Sequence, residues 1–481
     1  MTEAVRTSLR IDPQPRLDGE QFDALQEATG YSEGVVEEGI VAKEAYQLLT
    51  VPAARRAELL ADYAETGTSP GLTATHLDTT DLAARHERLA DFKTWLLGEE
   101  NADVPADIIQ VYRWKINELI ANNRMLQASL NGDMVRFRRY NTFIYGEPNP
   151  EVVAGVADWF RSDALKHVIS EHESVREAAD EVLRLVEDRG GSKFALVPDP
   201  ETFQRVRAEH FREGTGYYAL LLAGVMLPEG ARVTNEVGDP ALEQVRANLG
   251  ADHYKTVDAP GGTWGVDNRR GEVSRPAKIN MIYERFVGLG VGHEWGSHVL
   301  EYLNGLDSAL ALAAVGFDRY ESGNESRALI REEVVYESFA EFAATLRWQD
   351  IMRREFAIAL GHGVGGRGPM PFDQVDQIIS AVDRLWERAK TPNDPIGADV
   401  RALKRTDDLL MRVIKGTDGK GGAYLKDMVY LDPHPAMWRA AGLDPRIIGH
   451  GDLLKSDILN PRHTAIAQKY GIIPIQAVIE A

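Results

Sequence analysis

His293 and Glu294 are adjacent, and His298 follows five residues after the first histidine, in the stretch YERFVGLGVGHEWGSHVLEYLNG at 283–305. Two imidazoles are donors for a borderline-soft divalent cation, and a carboxylate beside them is placed to act as general base. Together they point to zinc-dependent hydrolysis. The commoner helical zinc motif, HExxH, sets its histidines four apart on one face. Here the spacing is five, which at about 100° per residue turns the second ring roughly 140° from the first. An ideal α-helix would not aim both rings at one ion, so the spacing predicts a π-type widening between His293 and His298. Gly296 and Ser297 are where the backbone should deform, because glycine tolerates the change and serine can bond a freed carbonyl. A chain of this composition would hold such a motif by chance roughly 0.03 times. The competing reading is two helix histidines buried by packing, with Glu294 on the surface.

A catalytic zinc needs a third protein ligand and an open position. Four carboxylates downstream qualify in ESGNESRALIREEVVYESFAE at 321–341: Glu325, Glu332, Glu333 and Glu337. Glu325 opens that helix and leads, although it could instead close a capping box with Ser322. Glu337 trails, lying further into the helix. Tyr320 and Tyr336 are possible oxyanion donors, and Arg275, Lys278 and Arg285 possible receivers of a substrate carboxylate. Packing or surface ion pairing explains each of these equally well or better. The glycine-rich stretch at 361–372 lacks the Lys-Ser or Lys-Thr ending of a phosphate loop and reads as a flexible loop near the cleft, while that at 415–422 could turn around an anion, although turn formation alone explains its glycines. Lys420 is a weak substrate contact.

The same residues resemble a known family, the QEGLA-motif proteins described as flavohaemoglobin-expression modulators, related to the microtubule-associated tyrosine carboxypeptidases. That family's HEIGTH-like helix is matched by HEWGSH at 293–298. Its following NG is matched at 304–305, its glycine and tyrosine by Gly316 and Tyr320, and its QEGLA by NESRA at 324–328. RFRRYNTFIYGEP at 136–148 and RVIKGTDGKGGAYLKDMVYLDP at 412–433 are similar to its other segments, so the resemblance runs over about 100–460. It implies a zinc peptidase with His293, His298 and Glu325 as metal ligands, one Zn2+ ion as cofactor, and Glu294 as catalytic base. Only Glu325 and Ala328 of QEGLA are kept. Trp295 and the altered NESRA would reshape the cleft, and Arg327 reads as a solvent-facing helix residue. The tubulin-tail activity of eukaryotic relatives does not transfer.

The elements that must position these residues read as α+β, predominantly helical: a zinc metallopeptidase-like core with an HExxxH helix and a small mixed sheet. Residues 1–130 form a mainly helical N-terminal region, 131–345 the core, and 346–481 a helical and glycine-rich region packed on it. Apolar residues at three- and four-residue spacing mark helices in 91–100, 106–132 and 151–169. NTFIYGEPNP at 141–150 suggests a short extended piece before a turn, and the metal helix should stop at Asn304-Gly305. Between about 190 and 285, short strands near 191–200 and 230–239 alternate with helices at 201–214 and 240–250. No strand-to-helix junction carries a GxGxxG or GxxxxGK[ST] pattern, which argues against a nucleotide-binding sheet.

The whole chain narrows the function classes. Its 481 residues allow a large enzyme, and its composition, 44% hydrophobic and 27% charged, is that of a folded protein. Lys and Arg number 54 against 74 Asp and Glu, a net charge of −20 that opposes nucleic-acid binding and favours basic peptides over acidic ones unless a local pocket reverses it. There is no cysteine, which removes thiolate ligands, disulfides and cysteine nucleophiles. No signal-like or bilayer-length apolar segment is evident, so the expectation is a cytoplasmic protein with a peptide or protein substrate, no nucleic-acid or membrane partner, and an oligomeric state left open. Peptidase action, carboxypeptidase action included, leads. A zinc amidase and a noncatalytic metal-binding regulator are the alternatives. Donor chemistry prefers zinc over manganese or cobalt.

Overall fold

The computed structural model describes residues 8–32, 35–36, 44–188, 195–227, 230, 232–259 and 261–473. The architecture is mostly helical with a small, open mixed sheet. Among the described residues, no helix is long and apolar enough to cross a membrane.

Helix Ala106–Leu130 buries a stripe that includes Ile108, Val111, Tyr112, Ile116 and Ile120, the three- and four-residue spacing of an amphipathic helix. It ends where Gly132 turns left-handed at φ 67°. Asp133 then caps the next helix, Met134–Tyr145, by accepting from Arg136 N at 3.0 Å. The extended piece expected at 141–145 is therefore helical. The cap starts a turn whose Phe137, Asn141 and Ile144 fall on one buried face. Asn141 also ties the late glycine-rich segment to this helix, donating to Ala423 O at 2.7 Å and accepting from Leu425 N at 3.2 Å.

Seven short strands occur among the described residues. β1 (Tyr31–Ser32) pairs antiparallel with β2 (Val35–Val36), and β3 (Arg232–Thr234) with β7 (Asn280–Ile282). The largest sheet has the order β4 (Lys255–Ala259), β6 (Glu272–Pro276), β5 (Gly265–Asp267), with β4 parallel and β5 antiparallel to β6. The strand expected near 230–239 is β3, followed at once by helix Asn235–Leu249. The one expected near 191–200 falls partly on 191–194, outside the described residues.

β7 runs directly into Tyr283–Arg285 and then the metal helix, Phe286–Val299. Phe286, Val287, Val291, Trp295 and Val299 are fully buried in the largest hydrophobic cluster, with Leu329, Ile330 and Trp348. At about 1.5–3 kcal/mol for each large side chain, this packing holds the segment that carries the histidines. A second cluster joins helices Gly19–Ala28, Thr79–Leu96 and Ala106–Leu130 to residues 310–317 and to Leu454, Ala467, Ile472 and Ile473. The helix after the histidines, Leu300–Asp307, passes through Asn304-Gly305 without stopping. Asn304 is used as an anchor, donating to Asp452 O at 3.0 Å and Leu9 O at 3.2 Å. Gly305 permits close packing, since a Cβ there would lie 2.4 Å from Ala314 N.

Candidate metal centre

Phe286–Val299 is a π-helix over its whole length. Each turn takes an additional residue, so residue i+5 returns toward residue i. The His293 and His298 rings accordingly come together, with centroids 4.8 Å apart and planes at 82°. The backbone groups freed by the widening are bonded from the side. Ser297 Oγ donates to Gly292 O at 3.0 Å, and Tyr217 Oη donates to the same carbonyl at 3.1 Å. Arg331 Nη1 donates to Gly296 O at 2.9 Å and to Ser297 Oγ at 3.0 Å. Gly296 is required by this arrangement, because a Cβ there would lie 1.6 Å from the Tyr217 hydroxyl.

Helix Glu321–Glu333 packs against the π-helix and decides among the four carboxylates. Glu325 is the one brought to both histidines: Oε2 lies 3.4 Å from His293 Nε2, and Oε1 lies 3.7 Å from His298 Nε2. One donor atom from each of the three residues falls within 4.8 Å of the others. Zinc at about 2.05 Å from its ligands in a tetrahedral site separates neighbouring donors by about 3.4 Å. The two imidazole–carboxylate separations, each made to a different Glu325 oxygen, are close to that size, while the set of one donor per residue spreads to 4.8 Å; the buried Glu325 Oε2 has no hydrogen-bond partner of its own. Ser322 lies inside the helix, which has no side-chain cap, so no capping box competes for Glu325.

Glu332 stands two turns after Glu325 on the same helix face. Its Oε1 is 2.8 Å from His293 Nδ1, an electrostatic contact short of a well-aligned hydrogen bond. Arg347 holds the carboxylate from the other side with a fork of 3.0 and 2.8 Å. The placement is similar to that of carboxylates that orient ligating histidines in metal sites. Glu333 points elsewhere, accepting at 2.7 Å from both His434 Nε2 and Trp438 Nε1. Glu337 pairs on the surface with Arg207 at 2.8 Å.

Glu294 is 5% exposed and lines the cavity beside the triad, with no hydrogen bond to another described residue. Burial pushes its carboxyl up to about 7, with His293 pulling the other way and Glu325 and Glu332 adding to the rise. Burial alone would lower His293, but Glu325 and Glu332 overcome it and raise the ring to about 10. His298, where burial prevails over Glu325, is lowered to about 4. Glu325 is held well below the ordinary carboxylate range: its burial is outweighed by the two histidines.

Behind the histidines is a buried charge network that the sequence did not reveal. Arg327, expected at the surface, is 1% exposed and ion-paired with Glu301 and Asp452, and Arg331 pairs with Asp452 as well. Arg331 also lies 3.7 Å above the Tyr217 ring. Trp295 sits in the core against Tyr254 rather than in the cleft.

The cavity in front of the triad has a volume of about 910 Å³. Tyr320 lines it, whereas Tyr336 packs on Phe342 outside it. Tyr430, in the segment KDMVYLDP, also lines it and was missed as a donor; its placement near Glu325 depends on the fold of the glycine-rich segment. Burial raises the phenols of Tyr320 and Tyr430, so both remain hydroxyl donors at neutral pH. Arg275 is consumed by Asp239 at 3.0 Å and Asp258 at 2.8 Å, and neither Lys278, Arg285 nor Lys420 lines the cavity.

No family model, no curated protein and no solved structure matches the chain. The resemblance to the QEGLA-motif proteins rests on the motif residues alone.

Proposed function

We propose that the protein is a zinc-dependent hydrolase of peptide bonds, built on a metallopeptidase-like core. The observation that carries this reading is the meeting of His293, His298 and Glu325 donors in one cavity with the unpartnered Glu294 carboxylate. His293 and His298 would offer their Nε2 atoms and Glu325 a carboxylate oxygen, and Glu332 would fix the His293 ring. A zinc ion held there supplies Lewis acidity and makes water acidic enough to be a nucleophile near neutral pH. Glu294 would receive the proton from the attacking water and return it to the leaving amine, roles suited to a buried carboxyl beside the ligands with no hydrogen-bond partner of its own. Tyr320 and Tyr430 are two of the tyrosines lining the cavity, and their hydroxyls would serve as donors to the developing oxyanion.

A noncatalytic metal site has no use for a second, unpartnered carboxylate beside its ligands and tends to be closed by a fourth protein ligand. The test is metal removal and return on the full chain, with cleavage of a random peptide pool read by mass spectrometry. Cleavage abolished by a chelator and restored by one equivalent of zinc supports the reading. Cleavage that survives complete metal removal contradicts it.

A further inference from the structure

Six acidic and six basic side chains line the cavity, and three of the bases pair with four of the acids. Lys115 lies 3.1 Å from Glu118, Lys426 lies 3.1 Å from Glu321 and 3.4 Å from Glu44, and Arg270 lies 3.8 Å from Asp267. Glu294 and Glu325 belong to the metal centre. Two lining cations then remain with no ion pair or hydrogen bond from their charged groups to any described residue: Lys455 and Arg85.

Both are nine-tenths buried, at 9% and 7% exposure. The Lys455 main chain is fixed, its N–H donating to Ala313 O at 2.8 Å and its carbonyl accepting from Phe317 N at 3.1 Å. Its ammonium has only the faces of Tyr302 and Tyr320, at 5.7 and 5.9 Å. Tyr302 stands one turn beyond His298, and Tyr320 immediately precedes the helix that carries Glu325, so Lys455 belongs to the metal end of the cavity. Arg85 projects from helix Thr79–Leu96, and its Nη1 is buried without a partner. A buried cation is ordinarily paired, because desolvation without a counter-ion is costly. Two such groups facing one cavity are prepared anion receivers. Zinc in the triad would strengthen the same field.

Resting on the hydrolase reading for turnover but not for binding, we propose that the cavity selects carboxylate-bearing peptides, Lys455 receiving a carboxylate beside the metal centre and Arg85 receiving a second. The site thereby reverses the preference for basic peptides that the net charge of −20 suggests. Burial lowers Lys455 to about 8 and Arg85 to about 10, outweighing the pull of Glu44 on both and of Glu325 on Lys455.

The probe is a fluorophore-labelled random hexapeptide pool, prepared as the free acid and as the carboxamide, each with and without a fixed internal glutamate. Binding is measured by anisotropy on the zinc-loaded Glu294→Gln protein, and cleavage on the wild type. The acid should bind roughly 10- to 100-fold more tightly than the amide, the strength of a charge-assisted hydrogen bond. Lys455→Met should erase that preference at unchanged zinc content, Lys455→Arg should restore part of it, and Arg85→Met should erase the added preference for glutamate. Equal binding of acid and amide, binding of neither, or a Lys455→Met loss that falls equally on both overturns the proposal. Acid preference that depends on Lys455, with no cleavage by the zinc-loaded wild type, sustains the anion site and removes the hydrolase reading instead.

Discussion

Glu332→Gln isolates the support of the metal centre from the ligands themselves. The substitution keeps the shape of the side chain and removes the charge 2.8 Å from His293 Nδ1. The Arg347 guanidinium, 20% exposed, retains a neutral acceptor and partial access to solvent, so the fold should tolerate the change. The His293 ring loses the partner that orients it and raises its basicity, which for outer carboxylates of this kind weakens metal binding by roughly 10- to 100-fold, or about 1.4–2.7 kcal/mol. Zinc affinity is read by competition with a chromophoric chelator at fixed pH. Glu333→Gln, on the next residue, is the internal control. Its carboxylate serves His434 and Trp438, so that variant should lose stability while zinc affinity stays within about 2-fold of wild type. Equal zinc affinity in wild type and Glu332→Gln, or an equal loss in both variants, would refute the assignment of Glu332 to the metal centre.

Arg331→Met removes the donor to Gly296 O and leaves buried Asp452 short of one partner, so urea denaturation should show a loss of about 3–5 kcal/mol. Gly296→Ala sets a methyl against the Tyr217 hydroxyl; the expected cost is about 1–3 kcal/mol with reduced zinc affinity, and Tyr217→Phe in the same chain should recover part of both. Asp427 is pushed up by burial but pulled further down, to about 2, by Arg412. Its folded value lies below its ordinary 3.8, so its contribution of about 2 kcal/mol is present above pH 4 and lost as pH falls from about 4 to 2. Asp427→Asn should flatten that acid limb in a stability-versus-pH series.

The two histidines and Glu294 were legible because their spacing carries a geometric contradiction that only a widened helix resolves, and Ser297 does bond the freed carbonyl as its chemistry suggests. Residue types alone left the third donor open among four glutamates. Helical phase separates them only once the packing face is known: Glu325 and Glu332, seven apart, look at the histidines from one face, while Glu333 is turned by about 100°. The piece at 141–145, expected to be extended before its Gly and Pro turn, is instead the end of the helix that the Asp133 cap starts. Arg327 was misjudged because a charged residue on a helix is usually solvated, and its partners Glu301 and Asp452 come from distant segments. Lys455 and Arg85 carried no signal at all. Their meaning lies in what does not surround them, which no sequence pattern records.

The most direct measurement is cleavage of the random peptide pool by zinc-loaded wild type and zinc-loaded Glu294→Gln, with metal content determined on the same samples. The expected result is one zinc per chain in both and cleavage by the wild type alone, with a loss of at least roughly 100-fold in the variant. Wild-type cleavage that persists in Glu294→Gln, or a wild type that holds no zinc after supplementation, would contradict the account.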